Sequence, residues 1–166
     1  IPACGNCNLR KGDDEEFVLY PYNEEFGKQY HFHTIPISGV GYLTGQAVSP
    51  YEFEVKIERN LSTGLAGDQD YESRVQASIE KFGLDILYHE SHNAYVLAIF
   101  EQRYVFNDAY LDSLIDSFPD LFKSREEARQ LLYMKQYDEN ALGDAPLAKL
   151  THDIDEEISE LYSTKL

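Results

Sequence analysis

The stretch from Tyr51 to Glu58 constrains the fold most. Tyr51, Phe53, Val55 and Ile57 alternate with Glu52, Glu54, Lys56 and Glu58. In an extended chain successive side chains point to opposite faces, so this stretch has one apolar face and one charged face. It reads as a strand with one side packed and the other wet. Tyr30 to Ile37 alternates more loosely and reads as another strand. Phe17 to Tyr20 is a third, shorter one, ended by Pro21. Gly39, Gly41 and Gly45 mark turns between them.

Residues 60 to 69 are polar and Gly-rich, hence a loop, and beyond them the apolar period becomes helical. Val75, Ile79 and Phe82 fall at i, i+4 and i+7, and Gly83 is placed as a C-terminal stop. A second helix is expected from Ile86 to about Phe106. Asn107 caps a third, which ends at Pro119. Ser124 with Glu127 forms a capping box for a fourth, to about Tyr137. A fifth starts at Asp144 and Pro146, with Leu147, Leu150, Ile154, Ile158 and Leu161 on one stripe. The predicted class is α+β, with short strands over residues 1–60 followed by a helical region over residues 61–166. There is no internal repeat and no low-complexity segment.

A chain of 166 residues with 43% hydrophobic and 13% aromatic content can bury a core as one domain, or one domain with a small appendage. No apolar run reaches membrane-spanning length and no signal peptide is visible, so no membrane partner is expected. The two cysteines, three apart, do not make a secreted disulfide framework, and a cytoplasmic location is expected. The net charge of −16 argues against loose nonspecific attraction to nucleic acid. It leaves room for a local basic site, or for a basic partner covering the acidic surface. The apolar helix stripes are compatible with self-association and equally with a single core.

Cys4-x-x-Cys7 has the spacing of a zinc knuckle: two thiolates can share one tetrahedral ion, and Gly5 permits the tight turn. A closed site needs two more ligands. They come from an upstream pair, or from among His31, His33, His89, His92 and His152; otherwise the pair is a redox dithiol or two plain thiols. A redox CxxC opens a helix after a strand in a longer α/β pattern, which is lacking here, so zinc is the preferred reading.

The order Ile1-Pro2-Ala3-Cys4-x-x-Cys7-Asn8-x-x-Lys11-Gly12-Asp13 resembles the second half of the ββα-metal motif of the HNH endonucleases. Tyr20-Pro21-Tyr22 with Phe32-His33, the segment Ser78 to Tyr88, and Pro146 to Leu150 with Asp153-Ile154 resemble later segments of one bacterial branch. The resemblance implies a metal-dependent nuclease that hydrolyses phosphodiester bonds in DNA. It makes Cys4 and Cys7 structural Zn²⁺ ligands and Asn8 a catalytic residue and ligand of a Mg²⁺ or Mn²⁺ ion. Arg10 and Lys11 become phosphate contacts, with a solvated helix cap as the alternative. Such nucleases often serve phage defence, sometimes with an ATPase partner. The family's first histidine, the general base, and its middle asparagine would lie upstream of Ile1. The non-Met start favours a fragment of the active protein. The alternative is a non-enzymatic zinc-knuckle protein whose acidic helices bind a protein partner. An acidic mimic of nucleic acid would explain the charge but not the Cys-Asn-x-x-Lys order.

The remaining polar residues carry weaker signals. His31 and His33 share one face of a strand, a geometry that grips a metal or simply faces water. His89 and His92, at i and i+3 with Glu90 between, read as a solvated helix face, and His152 is assigned no role. Arg59, Arg74, Arg103, Arg125 and Arg129 are scattered and read as salt-bridge partners rather than a DNA track. Most of the 13 tyrosines are expected in the core, not on a stacking platform. Gly39-Val40-Gly41 is too short for a phosphate loop.

Overall fold

A computed structural model describes residues 18–19, 26–47, 49–61, 68–133 and 146–163. The fold class is α+β, as the change of hydrophobic period predicts. Two strands, β1 (Tyr30–Pro36) and β2 (Phe53–Arg59), form an antiparallel ribbon. Their register sets His31 opposite Glu58, Phe32 opposite Ile57, and Thr34 opposite Val55. Tyr30, Phe32 and Thr34 therefore share a buried face with Phe53, Val55 and Ile57. Tyr51, expected on that face, lies before the strand and is exposed. Val18 and Leu19, expected in a strand, pair with none. The buried Leu19 instead donates its N–H to Ser78 Oγ at 2.9 Å.

Five helices follow among the described residues: α1 (Gln69–Phe82), α2 (Leu84–Val105), α3 (Asp108–Ser117), α4 (Arg125–Tyr133) and α5 (Ala148–Ser163). Their ends obey local chemistry. Asp68 accepts from Asp70 N–H at the start of α1, and Asn107 accepts from Tyr110 N–H at the start of α3. Gly83 stops α1 with φ +61°, a left-handed conformation that costs glycine nothing, and its N–H bonds back into the last turn. The Ser124 box is offset: Ser124 Oγ accepts from Glu127 N–H, but Glu127 reaches back to the N–H of Lys123. α4 is described to Tyr133, and the expected extension to Tyr137 lies outside the described residues. α5 begins two residues after Pro146, preceded by Leu147 at φ +60°. None of these helices is long and apolar enough to cross a membrane.

The core joins the ribbon to the helices. α2 packs on β2, α5 packs on β1, and the two helices meet over the ribbon. Val96, Ile99 and Phe100 of α2 and Leu150, Ile154 and Ile158 of α5 are buried there with Tyr42 and Phe53. Tyr42 lies in the short 3-10 turn Gly41–Thr44 and packs edge-on to Phe100, with ring centroids 4.9 Å apart. α3 and α4 form a hairpin with its own small core of Leu111, Phe122 and Ala128.

Candidate functional site

Cys4, Cys7, Asn8, Arg10 and Lys11 lie outside the described residues. The Zn²⁺ and the Mg²⁺ or Mn²⁺ that the resemblance implies draw on those residues, so the geometry below concerns other groups. No family model matches the chain, and no characterised protein or solved structure matches it significantly.

The ribbon presents two polar seams. Antiparallel pairing leaves every second N–H of each strand pointing away from its partner. Along the free edge of β1, carboxylates of α5 take these donors. Phe32 N–H donates to Asp153 Oδ2 at 2.9 Å, and Thr34 N–H donates to Glu157 Oε2 at 3.0 Å. One helical turn separates the acceptors and two strand residues separate the donors, which matches 1.5 Å per helical residue to about 3.3 Å per strand residue. On β2, Ile57 N–H points at Asp85 Oδ1, 3.4 Å away in the first turn of α2. Thus carboxylates take strand N–H groups on both edges of the ribbon, which works against further strand pairing there.

Glu157 is the most perturbed of these groups. Its other oxygen accepts from Thr34 Oγ1 at 2.6 Å, and Thr34 Oγ1 lies 3.3 Å from Tyr42 Oη. Burial pushes the carboxyl up to about 7; the two bonds from Thr34 oppose the rise, and the nearby Glu160 adds to it. Burial also raises Tyr42, with the charges of Glu157 and Glu52 acting in the same direction.

His152, Asp153 and Glu156 gather on the next face of α5, with one ligand atom from each within 4.8 Å of the others. The group can hold a cation, but Asp153 is already committed. Besides Phe32 N–H it receives the Lys149 ammonium at 3.0 Å. A metal there would displace a cation from a buried carboxylate.

The opposite, outer face of the ribbon holds His31 and His33, as the strand period predicts. Their ring centroids are 5.5 Å apart. Glu58, across from His31, reaches within 3.7 Å of His33 Nε2. Burial lowers the proton affinity of His33; Glu58 and Asp85 oppose this, while His31 and Lys56 reinforce it. His89 and His92 do not converge. His89 Nδ1 lies 3.1 Å from Asn93 Nδ2, and His92 stacks near Tyr88. The buried Asn93 also donates to the carbonyls of Pro50 and Phe53, fixing the entry to β2.

Each of the five arginines among the described residues engages carboxylates. Arg59 meets Glu72 at 2.8 Å and Arg74 meets Asp70 at 3.2 Å. Arg103, 2% exposed, bridges Asp108 at 2.7 Å and Asp155 at 3.4 Å. Arg125 and Arg129 add to the same cluster through Asp108, Asp112 and Asp155. Burial pushes Asp108 up, but the hydrogen bond and charge of Arg103, with Arg129 and Arg125, outweigh it and hold the carboxyl below its usual range. This ionic cluster fastens the α3–α4 hairpin to α2 and α5. The sequence reading missed Asp85, Asn93, Asp153, Asp155 and Glu157. For Asp153 and Glu157 a signal exists: both flank the apolar stripe Leu150, Ile154, Ile158 at helical spacing, where a solvated carboxylate does not belong.

Proposed function

We propose that this chain is part of a metal-dependent DNA endonuclease of the HNH type, with residues 61–166 serving as its acidic helical module. The observation that carries the reading is the order Cys4-x-x-Cys7-Asn8-x-x-Lys11-Gly12-Asp13. Cys4 and Cys7 would hold a structural zinc ion. Asn8 would be a ligand of a Mg²⁺ or Mn²⁺ ion, which when bound supplies charge neutralisation at the scissile phosphate. Arg10 and Lys11 would contact the flanking phosphates. No histidine precedes Asn8 in the chain, so the general base would come from elsewhere in the active protein.

The test is plasmid cleavage by the complete natural protein, with and without Mg²⁺ or Mn²⁺. Cleavage is expected with the wild type and loss of cleavage with Asn8→Ala. Absence of cleavage by the wild type under every divalent ion tried overturns the reading.

One observation favours a second reading. The five arginines among the described residues are engaged in internal ion pairs, and the chain carries a net −16. A balance this acidic, with no basic track among the described residues, suits a protein partner of positive charge better than DNA. A non-enzymatic interaction module would bind such a partner with salt-sensitive affinity and show no divalent-dependent cleavage.

A further inference from the structure

We propose that His31, His33 and Glu58 form a transition-metal site of the zinc class on the outer face of the ribbon. None of these residues belongs to the Cys4–Asp13 motif, so the site stands independently of the nuclease reading.

The backbone fixes all three positions. His31 and His33 are two apart on β1 and therefore share a face. Glu58 is the direct cross-strand partner of His31, and its Oε1 already lies 3.7 Å from His33 Nε2. A tetrahedral ion bound to two imidazoles at 2.0–2.1 Å sets their ring centroids roughly 5 Å apart, whichever ring nitrogen binds. The observed 5.5 Å is close to that value, although the three side chains do not yet bring one ligand atom each within 4.8 Å of one another and must change rotamer to close on an ion. The carboxylate can follow, because the Glu58 side chain is 60% exposed and free to change rotamer.

Two further observations point to a ligand. Nδ1 of His31 and Nδ1 of His33 are both buried and have no hydrogen-bond partner among the described residues. A buried nitrogen without a partner is costly, and two on adjacent rings call for an explanation. An ion bound through the two Nδ1 atoms supplies one, with Glu58 turning from the Nε2 side of His33 to join it. The opposing charge on this face is Lys56, whose ammonium is turned towards Glu54 at 3.5 Å and Asp85 at 4.0 Å. Two imidazoles and one carboxylate leave a fourth position open to water, unlike a closed cysteine knuckle.

The decisive measurement is zinc binding to chelator-stripped protein, read by competition with a fluorescent zinc chelator. It is made in the Cys4→Ser/Cys7→Ser background so that thiolates cannot contribute. One zinc per chain is expected there. Adding His31→Ala/His33→Ala should abolish that binding, and Glu58→Gln should weaken it by about 10-fold or more. Circular dichroism of each variant establishes that it is folded. Should the cysteine-free variant not fold, the wild type answers through the NMR resonances of its histidine rings, where zinc should shift those of His31 and His33. Zinc binding that is unchanged by the double histidine substitution overturns the site. So does the absence of zinc-induced shifts on these two rings. Cobalt separates this failure from failure of the cysteine knuckle, since a thiolate charge-transfer band reports Cys4 and Cys7 alone.

Discussion

Glu157 makes stability depend on pH in a direction opposite to most carboxylates. Its carboxyl is buried between α5 and β1, where Thr34 supplies both hydrogen bonds and no cation is among the groups that shift it. The groups that bear on it are Thr34 of β1 and Glu160 of α5, and it acts in turn on Tyr42 of the 3-10 turn. Burial raises its pKa from 4.5 to about 7. The folded protein thus holds the proton more tightly than the unfolded chain. The resulting stabilisation is complete below about pH 4.5, declines between there and pH 7, and is gone above. At 1.36 kcal/mol per unit the full excursion is about 3 kcal/mol, with a local slope of at most about 1.4 kcal/mol per pH unit. Glu157→Gln keeps the shape and stays neutral. Its carbonyl can accept from Thr34 N–H, and its amide can donate to Thr34 Oγ1, which then donates to Tyr42. Urea unfolding of both proteins should be followed by circular dichroism from pH 4 to pH 8. The variant's stability relative to wild type should rise by about 3 kcal/mol over that range. Parallel curves, with a constant difference, would refute the raised pKa and with it the picture of a proton-holding edge cap.

Four substitutions probe the packing that supports this arrangement. Asp155→Ala removes the buried carboxylate that Arg103 and Arg129 share, and should cost about 3–5 kcal/mol in urea unfolding. Adding Arg103→Met to it should restore part of that loss, because a neutral pair no longer carries a buried charge. Asn93→Ala removes the donor that serves Pro50 and Phe53 and should cost about 1–3 kcal/mol by the same assay. Ile154→Ala, at a fully buried site between ribbon and helices, should cost about 2–5 kcal/mol.

The elements were legible because each rests on a local rule. The alternation at Phe53, Val55 and Ile57 predicts β2, and Asn107 and Gly83 mark helix ends by capping chemistry that acts over a few residues. The shared face of His31 and His33 follows from the strand period alone. The edge caps were not legible in the same way. Asp153 and Glu157 bond to residues 121 and 123 positions away, and no local rule of sequence joins a helical carboxylate to so distant a strand. Their purpose appears only once β1 has a free edge and α5 lies along it. Arg103 is a related case. It reads correctly as a salt-bridge partner, but its burial depends on α2, α3 and α5 meeting around it. The motif residues Cys4, Cys7, Asn8, Arg10 and Lys11 remain legible in sequence only, since they lie outside the described residues.

The strongly acidic balance therefore has two parts with different physical roles. Asp85, Asp153, Asp155 and Glu157 act inside the fold as acceptors for strand N–H groups or as counterions of buried arginines. Asp153 and Asp155 are buried and cannot face a partner, Glu157 holds its proton up to about pH 7, and the partly exposed Asp85 is committed to Ile57 N–H. Glu101, Asp116 and Asp120 are exposed on α2, at the end of α3 and just after it, and belong to the other part. If this division is right, Glu101→Gln/Asp116→Asn/Asp120→Asn moves the net charge from −16 to −13 without touching the fold. Relief of like-charge repulsion should leave urea stability unchanged or raise it by at most about 0.5 kcal/mol. Binding to a basic partner should weaken and lose part of its salt dependence. A stability loss above about 1 kcal/mol would show that these carboxylates, too, hold the structure together. The acidity would then be a folding device throughout, and the charge would cease to argue for a partner.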